Sequence, residues 1–418
     1  MNEKQNLRLK RNVGLDYVHT FLSNMNMQSS IWVLYLAYCG LHLAQIGLLE
    51  GIYHATSIVC EIPSGAAADL MGRKRCMILS NICIAVSCVI MLFSKSFWCF
   101  AVSFVIQALG NNLNSGSEEA LVYDSMKCLG QEEHYMGFYG RLNVLIEVAQ
   151  GLATVAGGVL AEFSYFWCYA ACVVIAVLAL LPVLWMAEPP QCGEAADTAG
   201  KDAKDASAEG TPAQRTIRET VKHHFAVSAC ILQKDVRIGK IIGFYSVVFA
   251  AHTLLFFYSQ QYFADLGYNK VQISVIMLLV GGASCLGALV SEKMYRRFGK
   301  KCLIPETVII AAAILCYGAG KAGVAVAALM CAGFANAALY PIQSDSLNAL
   351  IPSEQRATLI SVDSMCFSIA MIVLFPLAGA LADRWGLKTV LLLLGAILLL
   401  FLLTVFCIEK ESFSSDHS

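Results

Sequence analysis

Charged residues are scarce in this sequence. Asp, Glu, Lys and Arg together make up 14% of its 418 residues, whereas an average soluble domain carries about 25%. Hydrophobic residues account for 58%, so the chain has too few charges to cover a water-soluble globule of this length. The composition excludes an ordinary soluble fold and predicts that most of the chain lies in a lipid bilayer.

The sequence also lacks the short motifs of common enzyme and metal sites. It contains no His-x-x-x-His metal pair, no nucleophile elbow and no phosphate-binding loop. The net charge of −1 gives no sign of a nucleic-acid partner. We therefore expect a protein that is not an enzyme, that needs no cofactor or metal, and that does not bind nucleic acid.

Long apolar runs, by contrast, are abundant. An α-helix needs about 20 apolar residues to cross a bilayer, and these runs are too long and continuous for the alternating segments of a membrane β-barrel. The predicted fold class is an all-α polytopic membrane protein with twelve transmembrane helices. The predicted spans are residues 16–39, 43–68, 76–96, 98–123, 137–162, 165–187, 239–263, 272–294, 302–320, 322–349, 358–382 and 388–408.

The 29 Lys and Arg residues are unevenly distributed along the chain. When both termini are placed in the cytoplasm, most of these cations fall in cytoplasmic segments, in agreement with the positive-inside rule. The sequence thus predicts a multi-pass protein of the inner (plasma) membrane with both termini cytoplasmic, and we expect it to be a monomer. The few cations in outer loops or at their borders are Lys95, Lys270, Lys321, Arg384 and Lys388.

A short motif, Gly-x-[Leu/Ala]-Ala-[Asp/Glu], recurs along the chain. It occurs at Gly65–Asp69, Gly158–Glu162 and Gly379–Asp383, with a degenerate copy beginning at Gly287. Copies lie 93 residues apart in the first half and 92 apart in the second, and the halves are offset by about 221 residues. This regular spacing predicts two six-helix halves, each of two three-helix repeats. The alternative is that the small residues only let helices pack closely.

The hydrophobic pattern stops between the two halves. Residues 188–212 are rich in Ala, Asp, Lys, Gly and Pro without apolar periodicity, which is typical of a flexible linker. From residue 214, apolar and basic side chains alternate, as in an amphipathic helix on the inner leaflet. The predicted organisation is an N-terminal six-helix half (1–187), a cytoplasmic linker with a basic amphipathic helix (188–240), and a C-terminal six-helix half (241–418).

Ionisable groups inside predicted spans are costly and therefore need a partner or a function. Glu50 and His54 are one turn apart on the predicted second helix. They could carry a proton, or they could form a hydrogen bond that only locks helices together. Glu118 on the fourth helix and Glu147 on the fifth are the other candidates for proton coupling.

Polar and aromatic side chains collect on the first, fourth, seventh and tenth predicted helices. The fourth helix is too polar to face lipid, so we expect it to line a wet cavity. The aromatic residues of the second half could instead serve packing. The candidate residues of the substrate cavity are Asn24, Gln28, Asn111, Asn114, Ser115, Tyr245, His252, Phe256, Asn336 and Tyr340.

The segment Glu61–Arg75 carries the most specific motif. Its Gly-x-x-x-Asp-x-x-Gly-Arg-Lys signature resembles the loop between helices two and three of the major facilitator superfamily of transporters. The resemblance implies that helices one, four, seven and ten line a central cavity. It also implies that the loop latches the two halves together, with Asp69 facing the start of helix eleven and Arg73 paired with Asp124. The implied latch residues are Gly65, Asp69, Gly72, Arg73, Lys74 and Asp124.

Within that superfamily, Ser117–Asp124 and Glu61–Gly65 resemble the twelve-helix drug:proton antiporter branch of bacteria. This resemblance implies a secondary active transporter working by alternating access, and the expected function is proton-coupled efflux of small amphipathic organic compounds. The expected partners are a small-molecule substrate, protons as the coupling ion, and the lipid bilayer. The alternative is a proton-coupled importer of a nutrient such as a sugar or organic acid, which the amide-rich face of the fourth helix would suit.

Overall fold

The computed structural model describes residues 3–190, 236–318, 321–348 and 356–415. Over these ranges the chain forms fourteen α-helices and no β-strand, which confirms the predicted all-helical class. The first eight helices are α1 (Glu3–Ser23), α2 (Trp32–Tyr38), α3 (Leu43–Met71), α4 (Arg73–Phe93), α5 (Phe97–Asn114), α6 (Ser117–Cys128), α7 (Tyr135–Phe163) and α8 (Tyr165–Trp185). The remaining six are α9 (Val236–Asp265), α10 (Lys270–Phe298), α11 (Leu303–Tyr317), α12 (Ala322–Asn348), α13 (Arg356–Trp385) and α14 (Leu387–Ser415).

Eight of these helices are long and apolar enough to cross a membrane: α4, α7, α8, α9, α10, α12, α13 and α14. The helix α8 shows why, because none of its 21 residues is charged. In lipid, the N–H and C=O groups of such a segment can be satisfied only within a helix. The multi-pass membrane architecture is thus supported, whereas the count of twelve spans and the internal repeat stay predictions.

The first predicted span is interrupted. Helix α1 ends at Ser23 and α2 begins at Trp32, with turns between them. Near the end of α1, the Asn24 amide donates to the Thr20 carbonyl oxygen (2.9 Å). Polar side chains that bond nearby backbone groups in this way compete with continued helix, and the sequence reading of one continuous helix over 16–39 is wrong here.

The fourth predicted span is interrupted as well. Helix α5 ends at Asn114 and α6 begins at Ser117. Between them Gly116 has φ +76°, a left-handed conformation that glycine adopts without steric cost. The helix is therefore broken at Gly116, within the polar segment of the predicted span 98–123.

The chain divides into two compact units, each described here by itself. Unit 1 consists of Met1–Gln28, Thr56–Ala153 and Phe166–Ala226, and unit 2 of Ser29–Ala55, Thr154–Tyr165 and Val227–Ser418. Unit 2 therefore includes two segments from the first half of the sequence. The division into halves at 1–187 and 241–418 stays a prediction, and most of the predicted linker (188–240) lies outside the described residues.

Each unit has a buried apolar centre. In unit 1, Met77 of α4 packs with Leu121 of α6, Phe138 of α7 and Val183 of α8. A polar contact joins α1 to this core, because the buried Asn12 amide donates to Ser125 Oγ (2.9 Å) and to the Ala187 carbonyl oxygen (2.8 Å). These contacts hold the part of α1 around Asn12 against α6, and they thereby position the site described below.

In unit 2 the buried centre is aromatic. Tyr258 of α9 is fully buried against Phe375 of α13, with ring centroids 4.7 Å apart. Tyr262, one turn further along α9, packs on Tyr317 of α11 and donates its hydroxyl to the Tyr317 carbonyl oxygen (2.8 Å). Tilted ring pairs of this kind contribute packing energy beyond their buried area, so α9 is held firmly between α11 and α13.

Candidate functional site

A polar cavity of about 260 Å³ lies within unit 1. The turn between α1 and α2 forms one wall, and α4, α5, α6 and α8 form the others. The residues that line it are His19, Leu22, Ser23, Asn24, Met25, Asn26, Gln28, Ser80, Asn81, Ile84, Ser87, Cys88, Gln107, Asn111, Asn114, Glu118, Cys172, Ile175, Ala176 and Ala179. Both interrupted helices thus end at the cavity, as do the broken helices that form substrate sites in many transporters.

Amide side chains dominate the polar lining. Asn24 is held in place, since its Oδ1 accepts from Gln150 Nε2 (3.2 Å) and its Nδ2 donates to the Thr20 carbonyl oxygen. In contrast, Gln28 Oε1 and Asn114 Oδ1 are buried without a hydrogen-bond partner among the described residues. Buried acceptors of this kind are costly unless a ligand or water donates to them, so both oxygens are ready acceptors for a bound solute.

Glu118 carries the negative charge of the cavity. Its Oε1 accepts from Thr20 Oγ1 (2.6 Å) and its Oε2 accepts from Asn114 Nδ2 (2.7 Å). The residue lies in the first turn of α6, where the positive end of the helix dipole favours a carboxylate. The break at Gly116 creates this helix start, so the interruption of the helix also stabilises the charge.

His19 faces Glu118 from α1. Its Nε2 lies 4.0 Å from Glu118 Oε1, and its Nδ1 lies 2.9 Å from the Ala179 carbonyl oxygen. Because a carbonyl oxygen can only accept, this contact places a proton on Nδ1 and leaves Nε2 to gain or lose the second proton. The Nε2 nitrogen of His19 therefore faces the Glu118 carboxylate at the edge of the cavity.

A second carboxylate lies one turn before His19. Asp16 is 1% exposed, and neither of its oxygens has a hydrogen-bond partner within the described part of the chain. Asn12, Asp16, His19 and Thr20 share one face of α1, at helical spacings of i, i+4, i+7 and i+8. The sequence analysis missed Asp16 and His19, although this polar spacing before an apolar run was the signal that could have found them.

The other predicted proton-coupling residues lie elsewhere. Glu50 and His54 are both 9% exposed and belong to unit 2, where His54 Nε2 lies 3.6 Å from Glu50 Oε1. The other ring nitrogen of His54 lies 3.2 Å from Ser368 Oγ. Glu147 is exposed on α7 and does not line the cavity of unit 1. The structure therefore brings Glu118, but not Glu50, His54 or Glu147, to this cavity.

The predicted cavity residues divide in the same way. Asn24, Gln28, Asn111 and Asn114 line the cavity of unit 1, whereas Ser115 lies at the helix break without lining it. The five from the second half belong to unit 2: Tyr245, His252, Phe256, Asn336 and Tyr340. Three of these are in ring contacts, since Phe249 forms tilted ring contacts with both Tyr245 and Tyr340, and Phe256 packs on Phe257. These contacts agree with the packing alternative for the aromatic residues.

The loop that starts α4 is built around Arg73 and Lys74. Arg73 Nη1 donates to Asp124 Oδ2 and to the Ala120 carbonyl oxygen. The backbone N–H groups of Arg73 and Lys74 donate to the two oxygens of Glu188 (2.7 and 2.9 Å), so Glu188 caps the helix. Sequence reasoning missed Glu188, because a cap from a distant segment leaves no local pattern.

Gly65, Asp69 and Gly72 complete the predicted latch residues. Gly72 has φ +89°, and a Cβ there would come 3.1 Å from Glu188 Oε1, so glycine suits both the backbone and the space. Gly65 has open space around it among the described residues. The side chain of Asp69 lies outside what the structure describes. The predicted Arg73–Asp124 contact is present, while its role as a latch stays a prediction.

Comparison with known protein families identifies the family of this chain. Residues 18–362 and 307–416 match the Major Facilitator Superfamily. The chain belongs to this superfamily. Its membership makes it a membrane transporter and implies a transporter rather than an enzyme, whereas the drug:proton antiporter branch is not established by the match.

Individual relatives of this superfamily member are distant. The uncharacterised MFS-type transporter YxaM of Bacillus subtilis (strain 168) is 22% identical over 379 residues, which is 90% of each chain. Among solved structures, the nucleoside transporter NupG matches with a TM-score of 0.72 and 15% identity, over 98% of this chain and 100% of NupG. A D-xylose-proton symporter matches with a TM-score of 0.65 and 14% identity, over 96% and 97%. At these identities the structural likeness shows the fold alone.

Proposed function

We propose that this transporter carries a small, uncharged solute rich in hydroxyl or amide groups, and that the solute binds in the cavity of unit 1. The observation that carries the proposal is the pair of buried acceptors, Gln28 Oε1 and Asn114 Oδ1, in an amide-lined cavity. A solute that donates hydrogen bonds to both would remove the cost of leaving them unpaired.

The charge of the lining restricts the solute further. Among the described residues that line the cavity, none is Lys or Arg, and Glu118 and His19 are the ionisable side chains besides Cys88 and Cys172. An anionic solute would lack a counter-ion here and would meet the carboxylate of Glu118. A neutral solute avoids both penalties.

Size and polarity favour a nutrient over an amphipathic drug. A cavity of about 260 Å³ is smaller than the roughly 300–1,000 Å³ of sites for drug-sized ligands. No Phe, Tyr or Trp is among the described lining residues, although such rings usually bind apolar ligands. The cavity therefore favours the neutral substrate class of the importer alternative, a sugar over an organic acid, and we extend that class to nucleosides. Efflux of amphipathic compounds stays a prediction from the sequence.

The names of the structural relatives point the same way. They include a nucleoside transporter and a D-xylose-proton symporter, and both solutes are neutral and rich in hydroxyl groups. Their identity to this chain is too low to carry the substrate class, so the proposal rests on the cavity itself.

We assign proton coupling to Glu118 and His19, with Asp16 as a second carboxylate. A proton that binds to Glu118 or to His19 Nε2 changes the charge beside the solute without any movement of backbone. Asp16 is so buried that an ionised carboxylate would be costly there, so in this scheme it holds a proton in the conformation observed. Alternating access would then expose these groups to opposite sides of the membrane in turn.

The Arg73 loop is proposed to control that conformational change. Arg73 and Asp124 are each about one-third exposed (30% and 32%), so breaking their contact has a moderate cost that lies between surface and buried pairs. In this scheme Arg73, Lys74, Asp124 and Glu188 form one rigid corner of unit 1, and Gly65 and Asp69 are assigned to the latch by the resemblance of the loop.

The substrate class can be tested in proteoliposomes with an inward proton gradient. A panel of labelled hexose, pentose, nucleoside and an amphipathic cationic dye would be compared with empty liposomes. We expect uptake of at least one neutral, hydroxyl-rich solute that collapses when the proton gradient is dissipated. Movement of the dye alone, in either direction, would contradict the proposal and favour efflux.

A further inference from the structure

One face of α8 is apolar and exposed along its whole length, and it carries a tryptophan near each end. The residues of this stripe are Trp167, Val174, Leu178, Leu181 and Trp185, which are 40–63% exposed and follow one another at helical spacing. At a rise of about 1.5 Å per residue, the two tryptophans lie roughly 27 Å apart along the helix axis, close to the ~30 Å thickness of the hydrocarbon core of a bilayer. Tryptophans favour the two membrane–water interfaces, so the stripe has the length and composition of a surface that faces lipid.

A cation lies against the second of these tryptophans. The guanidinium carbon of Arg11, on α1, is 5.9 Å from the centre of the Trp185 ring. Trp185 is the last residue of α8, which is apolar enough to cross a membrane. Arg11 therefore lies at the level where the hydrocarbon core ends. The indole face attracts the cation and holds it at this level without neutralising its charge.

Helix α1 runs beside α8 from this level onward, within unit 1. The Asn12 amide donates to the Ala187 carbonyl oxygen (2.8 Å), and His19 Nδ1 lies 2.9 Å from the Ala179 carbonyl oxygen. Two contacts about two turns apart keep the helices side by side and antiparallel. The exposed side of α1 therefore continues the exposed stripe of α8.

The exposed side of α1 is basic at the interface and apolar further in. Arg8, Arg11, Gly14 and Val18 lie on this side at helical spacing, and all four are exposed. A Cβ at Gly14 would meet nothing within 4 Å, so the surface between Arg11 and Val18 is open. Two guanidinium groups thus stand at the end of an open apolar strip.

The charge of these arginines is available to an anion. Neither Arg8 nor Arg11 forms an ion pair with a carboxylate of the described residues. Glu188, which follows the end of α8 closely, already accepts from two backbone N–H groups at the start of α4. Lys74 adds a further positive charge at this level, because its Nζ donates to two carbonyl oxygens at the end of α8.

We propose that this lipid surface, formed by Arg8, Arg11, Trp185, Val18 and Leu181, binds one anionic phospholipid. The lipid phosphate accepts from the two guanidinium groups, whose paired N–H donors match phosphate oxygens. The acyl chains lie along the apolar strips of α1 and α8. Phosphatidylglycerol has the required chemistry, since its headgroup is negative and carries no ammonium group. A phosphatidylcholine headgroup brings its own cation toward the arginines and is disfavoured.

The lipid surface is separate from the proposed solute site. None of its five residues is among the described residues that line the cavity of unit 1. The proposal therefore goes beyond transport of a solute and does not depend on the substrate class. A lipid bound here would hold the start of the helix that also carries Asp16 and His19.

Quenching of tryptophan fluorescence by brominated lipids tests the lipid surface on the full-length protein in mixed phosphatidylcholine and phosphatidylglycerol vesicles. One or the other lipid carries bromine near the headgroup end of its chains. The signal of Trp185 is the difference between the wild type and Trp185→Phe, and that of Trp167 is obtained from Trp167→Phe. We expect phosphatidylglycerol to be preferred about five- to twentyfold at Trp185, at about fivefold for each arginine, and not to be preferred at Trp167.

Matched substitutions separate a defined site from diffuse attraction to a basic surface. Arg11→Gln should lower the preference at Trp185 about fivefold. Lys10→Gln removes one positive charge from the neighbouring position, which is also exposed but is turned about 100° around the helix, and it should leave the preference unchanged. Arg11→Lys keeps the charge but loses the paired donors, so its preference should lie between those of the wild type and Arg11→Gln.

Three results would overturn the proposal: equal quenching of Trp185 by the two lipids, an equal preference at Trp167, or an equal loss in Arg11→Gln and Lys10→Gln. Native mass spectrometry gives a second measurement that does not depend on tryptophan. Phosphatidylglycerol retained by the protein should fall in Arg11→Gln and not in Lys10→Gln, and the reverse order would contradict the site. Neither experiment measures transport, so a negative result leaves the proposed substrate class standing.

Discussion

The imidazole of His19 and the carboxylate of Glu118 face each other between α1 and α6, with Nε2 4.0 Å from Oε1. A carbonyl oxygen fixes the other nitrogen of the ring, and both oxygens of the carboxylate already accept hydrogen bonds. The arrangement therefore leaves Nε2 of His19 facing the carboxylate on the wall of a polar cavity, where we propose that the coupled proton binds.

The unpartnered amides should set the affinity for the solute. Gln28→Ala and Asn114→Ala each remove an acceptor, and an uncharged hydrogen bond contributes about 0.5–1.5 kcal/mol. We expect KM to rise roughly two- to tenfold in each variant. Uptake kinetics of the solute identified by the panel would measure this change. Asn143→Ala, an exposed amide outside the cavity, serves as the control, and an equal effect there would contradict the assignment.

The helix break at Gly116 should tolerate asparagine better than a β-branched residue. A Cβ at this position would meet nothing within 4 Å, so the cost of substitution arises from its φ of +76° alone. Gly116→Val should cost about 1–3 kcal/mol, whereas Gly116→Asn should cost less because Asn enters the left-handed region more readily.

Thermal stability of the detergent-solubilised protein distinguishes these variants. The matched control is Gly137→Ala, a helical glycine of α7 with open space. It should be neutral or slightly stabilising. Equal stability of Gly116→Val and Gly116→Asn would show that the break is not held by this backbone conformation.

Glu188 should stabilise the start of α4. Its carboxylate accepts from two consecutive N–H groups, and loss of a helix cap costs about 1 kcal/mol. We expect Glu188→Ala to lower the melting midpoint by roughly 1 °C for a chain of this length, measured by loss of the monodisperse peak after heating. Glu132→Ala removes an exposed acid of the short 3-10 helix Glu132–His134, just before α7, and should have little effect. A midpoint unchanged by Glu188→Ala would contradict the capping role.

Composition and periodicity were sufficient for the membrane class and the helical fold, because the cost of exposing backbone and charge to lipid acts on every residue of a span. The superfamily was predicted from the resemblance of the Glu61–Arg75 motif instead. The reasoning from the cost of exposure to lipid also led to Glu118, Asn111 and Asn114. It failed to find Asp16 and His19, although both lie within the predicted span 16–39. It also selected Glu147 together with Glu118 as a candidate for proton coupling, although Glu147 is exposed on α7 in the structure.

The contact of Glu188 could not have been predicted from local pattern. This acid caps a helix that is far away in the sequence, and nothing in the capped segment requires a partner at a particular distance along the chain. The helix breaks at Asn24–Gln28 and at Gly116 could not have been predicted from local pattern either. A polar insertion in an apolar run is compatible with a continuous helix lining a cavity, and packing decides between the two.

Proton coupling at Glu118 is tested most directly by comparing two transport modes in proteoliposomes. Gln at this position mimics the protonated carboxyl group. Glu118→Gln should therefore retain solute exchange without a gradient, whereas its rate of uptake driven by a proton gradient should fall at least about tenfold. Glu119→Gln, which removes the adjacent exposed carboxylate bonded by Tyr139, should retain both modes. Loss of gradient-driven uptake with exchange preserved is the predicted result. Gradient-driven uptake at the wild-type rate in Glu118→Gln would contradict the coupling assignment.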